Sequence, residues 1–422
     1  SQSPTPTSIN VSIHPEGKNG QHAGQATAED NLSFRESSAN SASSAPVDTL
    51  VTSQRRFDEN ASIVLIGIRG TGKSSLAVML AATSGRQLID ADKYFQQMSG
   101  RSRAVFKKEY GLAEYRHQEA KVMEAILTDH KIDCVIACGP GSMERSGQKL
   151  LREYARSHPV IYVLRDPESI QSYVKAWDTL KVRRFLELSG PIYRSCSNLE
   201  FFNLSEKGGA EDEDKDGRRY SQLELELNQR SQTSTPFLTL KRVQRDFLRF
   251  IAFATGDATD VSNQRASFPL NMVPVESRRF TYAVSVPISS LSGRIMDIED
   301  LESGADAFEL KLDMAMRPTD ISADSSLADQ ISEAVAAIRR NVIIPLIYHV
   351  ESSAYLEDSN PHGSHPSRRS DEAYLSLIQH GLRLAPEFLT VDLSYGDTIL
   401  TQIIASKGLT KVIGNYTSFE PA

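Results

Sequence analysis

The sequence predicts two successive α/β units, each a parallel sheet with helices between its strands, the second an incomplete (β/α)8 barrel. Three observations predict this. Short apolar runs of strand length recur without polar alternation, which marks strands covered on both faces. Stretches of helical period separate those runs, so consecutive strands are expected to run parallel through right-handed crossovers. Polar stretches at 1–60, 207–235 and 261–277 divide the 422 residues into pieces of domain size.

The first ordered run is Ser62-Ile63-Val64-Leu65-Ile66-Gly67, a buried strand. Helical period follows over 74–83, then a short strand ending at Asp90. Helices are expected to fill most of 93–128, with a strand at 133–137, a helix around 148–157 and a strand at 160–164. The charged stretch 207–235, centred on Glu211-Asp212-Glu213-Asp214, is expected to be a solvated loop, and helical period returns over 237–255. In the second unit, strands are expected at 282–287, 307–313, 344–350, 388–393 and 411–415, with helices such as 327–340 and 372–384 between them. Five strands are the opening of a barrel that closes at roughly 250 residues, so closure requires sequence beyond Ala422. The expected domains are therefore a disordered tail (1–60), an α/β domain (61–260, carrying the 207–235 loop), a linker (261–277) and the truncated barrel (278–422).

Composition narrows the function. With 47 Lys plus Arg against 54 Asp plus Glu the net charge is −7, which argues against a large nucleic-acid footprint and against direct DNA binding. No apolar run approaches the roughly 20 residues needed to span a bilayer. Three cysteines, Cys134, Cys138 and Cys196, cannot build a disulfide framework, and no secretory signal is visible, which points to the cytoplasm or nucleus. The chain opens on Ser1 rather than Met, as a fragment or processed form would.

Gly67-Ile68-Arg69-Gly70-Thr71-Gly72-Lys73-Ser74 fits G-x-x-x-x-G-K-[ST] directly after a strand and opening a helix, which is the P-loop NTPase context. Glycines let successive N–H groups turn toward an anion, and the helix start adds partial positive charge. Gly67, Arg69, Gly70, Thr71, Gly72, Lys73, Ser74 and Ser75 are the expected nucleotide-binding residues. Lys73 would reach the β- and γ-phosphates and the Ser74 hydroxyl would ligate Mg²⁺. ATP or ADP with Mg²⁺ is thus the expected ligand.

Beyond the loop come Asp90-Ala91-Asp92, then Tyr110-Gly111, Glu114-Tyr115-Arg116 and Glu119, then Cys138-Gly139-Pro140-Gly141. In this order the motifs resemble shikimate kinase, and Gly190-Pro191-Ile192-Tyr193-Arg194-Ser195-Cys196 resembles the kinase section of the fungal arom pentafunctional polypeptide. Glu309-Leu310-Lys311-Leu312-Asp313 and Pro345-Leu346-Ile347-Tyr348-His349-Val350 resemble type I 3-dehydroquinase, the next section of arom. The resemblance implies a shikimate kinase-like sheet followed by a type I dehydroquinase-like barrel. It also implies that Asp90 is Mg²⁺-linked, that Asp92 holds shikimate hydroxyls, that Arg116 grips the carboxylate, and that Gly139 and Gly141 border the metabolite. Without the family, Asp90 and Asp92 are equally turn or helix-cap carboxylates, and Arg116 is a surface arginine.

Several family groups are missing. Pro140 stands where a glycine would present an N–H. Ser189 stands where a second carboxylate-binding arginine is expected, and 174–190 contains no Arg-Pro pair to reach over the transferred phosphoryl group; Arg183 and Arg184 are out of register. In the second unit Glu351 replaces an arginine, Lys311 stands for another, Asp392-Leu393-Ser394 replaces D-x-E, and Asn415-Tyr416-Thr417-Ser418 lacks the general acid–base histidine. His349 with His362 and His365 fits no familiar metal spacing. Loss of charge-stabilising groups predicts no catalytic residues, hence a pseudoenzyme. The pattern resembles the fungal quinate-pathway repressors, a non-enzymatic family related to arom. That resemblance implies a transcriptional regulator that senses shikimate- or quinate-pathway metabolites and binds the pathway's transcriptional activator protein. The alternative is an arom-type shikimate kinase that remains active.

Overall fold

The computed structural model describes residues 57–175, 178–205, 236–256, 282–291, 305–312, 325–351 and 368–416. Most of the expected tail, the 207–235 loop and the linker lie outside the described residues, as do 352–367, with His362 and His365, and 417–422.

The first sheet has five parallel strands: β1 (Ile63–Ile66), β2 (Gln87–Asp90), β3 (Cys134–Ala137), β4 (Val160–Leu164) and β5 (Leu199–Phe202), in the order β2-β3-β1-β4-β5. Every residue of β1, β3 and β4 is buried, as their unbroken apolar runs require of strands covered on both faces, and so is every residue of β5 although it carries Glu200. The helices are α1 (Lys73–Ser84), α2 (Ala91–Ser99), α3 (Arg103–Asp129), α4 (Arg145–Tyr154), α5 (Pro167–Val174) and α6 (Thr179–Ser195). Their ends follow local chemistry. Asp90, Asp166 and Asp178 cap α2, α5 and α6 through side-chain oxygens, while Gly85 and Gly100 close α1 and α2 in the left-handed conformation. Within α3, Gly111 at φ 81°, ψ 176° breaks the helical geometry.

The packed chain begins before the expected boundary at residue 60. Phe57 is buried in the same cluster as Ile63, Leu65 and Leu80, and Asn60 O accepts from Asp133 N at 2.8 Å. One large apolar side chain next to a backbone bond is enough to hold a segment that is otherwise polar.

The second sheet is also parallel and runs in chain order: β6 (Ala283–Pro287), β7 (Ala307–Leu312), β8 (Leu346–Val350), β9 (Phe388–Asp392) and β10 (Lys411–Asn415). Between its strands lie α8 (Ile288–Leu291), α9 (Ser325–Asn341), α10 (Arg368–Arg383) and α11 (Asp397–Ser406). Strictly sequential parallel order is what successive βα units of a (β/α)8 barrel produce.

Helix α7 (Pro236–Thr255) joins the two sheets. Its Phe247 and Phe250 pack on Phe201 of β5 with ring centroids 4.9 and 5.3 Å apart. On the side toward the second sheet, Asp246 pairs with Arg340 at 3.2 Å, both 2% exposed, and Arg249 pairs with Glu387 at 2.8 Å. Arg249 also donates to Val342 O and Ile344 O, and Arg339 to Leu384 O and Ala385 O. Buried backbone carbonyls at the ends of α9 and α10 are thereby satisfied by guanidinium forks.

Candidate functional site

The loop from Gly67 to Gly72 leaves the C-terminal end of β1, the central strand of its sheet, where open α/β sheets bind ligands. Gly67, Gly70 and Gly72 all have positive φ (146°, 96° and 91°). A Cβ at Gly67 would lie 2.5 Å from Val163 O, and one at Gly72 would lie 2.5 Å from Asn203 Nδ2, so both positions need glycine for space as well as conformation. Thr71 Oγ1 donates to Ile68 O (3.0 Å), and Asn203 Nδ2 donates to Thr71 O (2.9 Å), tying the loop to the end of β5. No side chain caps α1, which leaves its first N–H groups directed at the loop. Lys73 Nζ donates to Ile68 O at 2.8 Å, and burial lowers its pKa to about 8 despite Asp92 and Cys138 nearby. Ser74 and Ser75 are exposed on the first turn of α1, and Arg69 is exposed at the loop tip. This cradle fits a nucleotide's phosphates: it offers uncapped N–H groups, a lysine and no Cβ in the way.

Asp90, at the end of β2, uses Oδ1 to accept from Asp92 N (2.8 Å) and Lys93 N (3.4 Å). It is a helix cap first, with Oδ2 left over. Ser74 and that second oxygen are the groups that would hold Mg²⁺, which supplies charge neutralisation at the phosphates when bound.

Of the residues expected to bind the metabolite, Asp92, Gly139 and Gly141 gather around one guanidinium–carboxylate cluster and Arg116 does not. Asp92 Oδ1 is bonded by Arg103 Nη1, from the first turn of α3. The same guanidinium forks onto Glu119, Nε to Oε1 and Nη2 to Oε2 (3.2 Å), and Nη2 also donates to Ala91 O at 3.1 Å. Gly139 lies against this triad, since a Cβ there would be 2.6 Å from Asp92 Oδ1 and 2.9 Å from Arg103 Cζ. Gly141 packs directly on the Glu119 carboxyl group. Arg116 points elsewhere: it pairs with Glu144 at 3.2 Å and is half exposed. Arg103 carries no sequence signal beyond being one of several arginines near a helix start, and it is the group the motif reading missed. Burial pushes Cys138, beside Lys73, up to about 12; it and the other two cysteines are buried and free.

Pro140 opens a 3-10 turn, Pro140–Met143, where it has no N–H to offer. The stretch 174–190 is mostly α6, on which the Ser189 hydroxyl donates back to Phe185 O (2.6 Å) and Arg183 pairs with Glu168 (2.6 Å). Neither supplies a cation to the phosphate loop in this arrangement.

Polar side chains of β7 and of the end of β8 pair with one another. Lys311 Nζ meets Glu351 Oε1 at 2.8 Å, and His349 Nδ1 meets Glu309 Oε1 at 2.7 Å, a bond that lowers the Glu309 pKa. Asp392 Oδ1 accepts from Ser394 N at 2.8 Å. Among the described residues no cluster of His, Cys, Asp and Glu could hold a metal ion, and no helix is long and apolar enough to cross a membrane.

The shikimate kinase family model matches residues 69–202, and the type I 3-dehydroquinase family model matches residues 282–422. Over 390 residues, 92% of the chain, the sequence is 60% identical to the quinate repressor protein of Emericella nidulans. The chain is thus similar, over most of its length, to a quinate repressor protein. It also aligns with the quinate repressor protein of Talaromyces stipitatus, at 24% identity over 86% of the chain, and with the pentafunctional AROM polypeptide of Mycosarcoma maydis, at 25% over 86%. The chain spans less than half the length of these relatives: 43%, 38% and 20% respectively. A solved shikimate kinase from Acinetobacter baumannii in complex with shikimate aligns at 20% identity and a TM-score of 0.30, covering 42% of this chain and 97% of that one.

Proposed function

We propose that this chain is a transcriptional repressor of quinate utilisation genes, a pseudoenzyme that senses shikimate- or quinate-pathway metabolites and acts by binding the pathway's activator protein. The observation that carries this reading is the 60% identity to a quinate repressor protein across 92% of the chain. The altered site supports it: Asp92 is held by Arg103, Pro140 lacks an N–H, and Ser189 replaces a cation. Phosphoryl transfer depends on positioned charge, and one arginine over the phosphoryl group can be worth ~10³ or more in rate, so these losses favour binding without turnover. In this reading Gly67–Ser75 binds ATP or ADP with Mg²⁺ as a ligand rather than as a catalytic cofactor. The repressor works in the nucleus or cytoplasm through protein contact, as a net charge of −7 favours over DNA contact. The tail 1–60, the domains 61–260 and 278–422 and the linker 261–277 are proposed as its organisation.

The test is a thermal-shift and calorimetric screen of the full chain with shikimate, quinate, dehydroshikimate, ATP and ADP, followed by capture of the activator with and without each ligand that binds. Ligands that bind the native state raise its apparent stability by mass action. The reading expects at least one hydroxy-acid to stabilise the chain and to change activator capture. No binding of the activator under any condition overturns it. A second reading, an active arom-type shikimate kinase, is favoured by the complete phosphate loop and Lys73. It expects the wild type to be as fast as a Pro140→Gly, Ser189→Arg variant.

A further inference from the structure

We propose that Arg103 is a tethered cation occupying the hydroxyl-binding carboxylate of the metabolite pocket, so that a small hydroxy-acid enters only by displacing the guanidinium from Asp92. The proposal rests on the reading that this pocket takes a hydroxylated carboxylic acid.

The two arms of Arg103 differ in what it takes to break them. Its fork onto Glu119 is anchored, because Glu119 is fully buried and a carboxylate left there alone would lose both solvent and partner. Phe95 lies beneath the guanidinium, 4.9 Å from ring centroid to Cζ, and Ala91 O takes another donor. The arm to Asp92 ends at the surface, where Asp92 is 70% exposed. An ion pair open to water on the Asp92 side is weaker than the buried one on Glu119, so this arm yields first to a competing ligand while the anchor stays.

Space makes the competition direct. Gly139 lies on Asp92 and Arg103 so closely that a methyl group would not fit between them, so a ligand hydroxyl and Nη1 cannot both reach Asp92 Oδ1 from that side. Chemistry gives the ligand class. A ligand hydroxyl can replace the single Nη1 contact on Asp92 Oδ1, and the released N–H then faces the incoming molecule with positive charge. A carboxylic acid bearing hydroxyls satisfies both demands; a neutral polyol satisfies only the first. Arg103 therefore sets a threshold affinity and a preference for anions, which suits a sensor that must respond to accumulated metabolite rather than to trace amounts.

The experiment is calorimetry of the full chain with quinate and with shikimate. It compares wild type, Asp92→Asn, Arg103→Lys and the double variant Arg103→Met with Glu119→Gln, in which no buried charge is orphaned. The double variant is expected to bind the acids about tenfold more tightly, because vacating Asp92 outweighs the loss of the cation that a displaced Arg103 would present. Arg103→Lys, which keeps a cation beside Glu119 but not the fork, is expected to tighten binding by roughly threefold and carries the test if the double variant does not fold. Asp92→Asn is expected to lose measurable binding. Unchanged or weaker binding in the folded Arg103 variants, with wild-type binding intact, overturns the role of Arg103 and leaves the sensor reading standing. No binding by any of the four proteins overturns both.

Discussion

The Ser332 hydroxyl on α9 donates to Glu200 Oε1 on β5 at 2.7 Å, tying the helix layer of the second sheet to the edge strand of the first. Glu200 is fully buried and is gripped from its own side by Arg194, at 2.8 and 3.0 Å. Arg383, from α10, lies 3.7 Å away and donates to Ser197 O and Oγ at 2.7 Å each. Asp329 completes the cluster with a 2.5 Å contact to Arg194. With Arg194 and Arg383 around it, Glu200 has its pKa held down to about 2 against the opposing effect of burial. The two halves therefore meet through paired charge as well as apolar packing.

Glu200→Gln removes the buried anion on which Arg194, Arg383 and Ser332 converge and leaves Asp329 as the carboxylate on Arg194. It is expected to cost ~3–5 kcal/mol in urea unfolding, while Ser332→Ala costs ~1–2 kcal/mol. Equal and small effects from both would mean that the cluster is solvated.

Asp246 and Arg340 form a second buried pair between α7 and α9, with Arg340 also donating to Leu204 O at 3.2 Å. Either single change, Asp246→Leu or Arg340→Met, is expected to lose ~3–5 kcal/mol because the partner charge is stranded. The double variant is expected to recover to within ~1–2 kcal/mol of wild type. A double-mutant cycle with no coupling would contradict the pairing.

His380 gives the seam a pH dependence. Burial, more than the neighbouring Arg194 and Arg383 and despite Glu200, lowers its pKa to about 4. Its Nε2 lies 3.1 Å from Ala328 O and 3.2 Å from Ser332 Oγ, as a neutral ring donating from Nε2 would. In the unfolded chain imidazole titrates near 6.5. Between about 6.5 and 4 the unfolded chain thus binds more protons, and stability falls as pH falls through that window. Burial raises Asp329 to about 6, which acts in the opposite sense over a similar window but is common to wild type and variant. Relative to His380→Gln, wild type is expected to lose up to ~3 kcal/mol between pH 7 and 4, measured by urea unfolding at each pH. Parallel pH profiles would contradict a buried neutral His380.

Gly72 is expected to be intolerant for two separable reasons, its φ of 91° and the Asn203 amide 2.5 Å from where a Cβ would sit. Gly72→Ala is expected to destabilise by ~1–3 kcal/mol and to abolish ADP binding in calorimetry. Asn203→Ala, which releases Thr71 O but leaves the turn, is expected to weaken ADP binding while changing stability by only ~1 kcal/mol. Normal ADP affinity in Gly72→Ala would mean the loop is not the phosphate cradle.

Much of this architecture was legible in the sequence because buried parallel strands announce themselves as unbroken apolar runs; β1, β3 and β4 are of that kind. Strand β5 was not, since Glu200 interrupts Leu199-Glu200-Phe201-Phe202 with a charge that only the opposing arginines and Ser332 make tolerable. The phosphate loop was legible because glycine spacing encodes its backbone directly. Motif order groups Asp92 with Gly139, and the two do lie against each other, but Arg103 could not be read: its contact with Asp92 depends on α2 and α3 folding against each other, which no local pattern records. The Lys311–Glu351 pair was half visible, as an apparent charge reversal at Glu351 whose compensation lies one strand away.

Nucleotide binding without phosphoryl transfer is tested by ATP-dependent phosphorylation of shikimate by the 422-residue chain with Mg²⁺. The account predicts no turnover above the uncatalysed background, alongside measurable nucleotide binding in the same preparation. Turnover of about 1–100 per second, ordinary for a kinase, would contradict it.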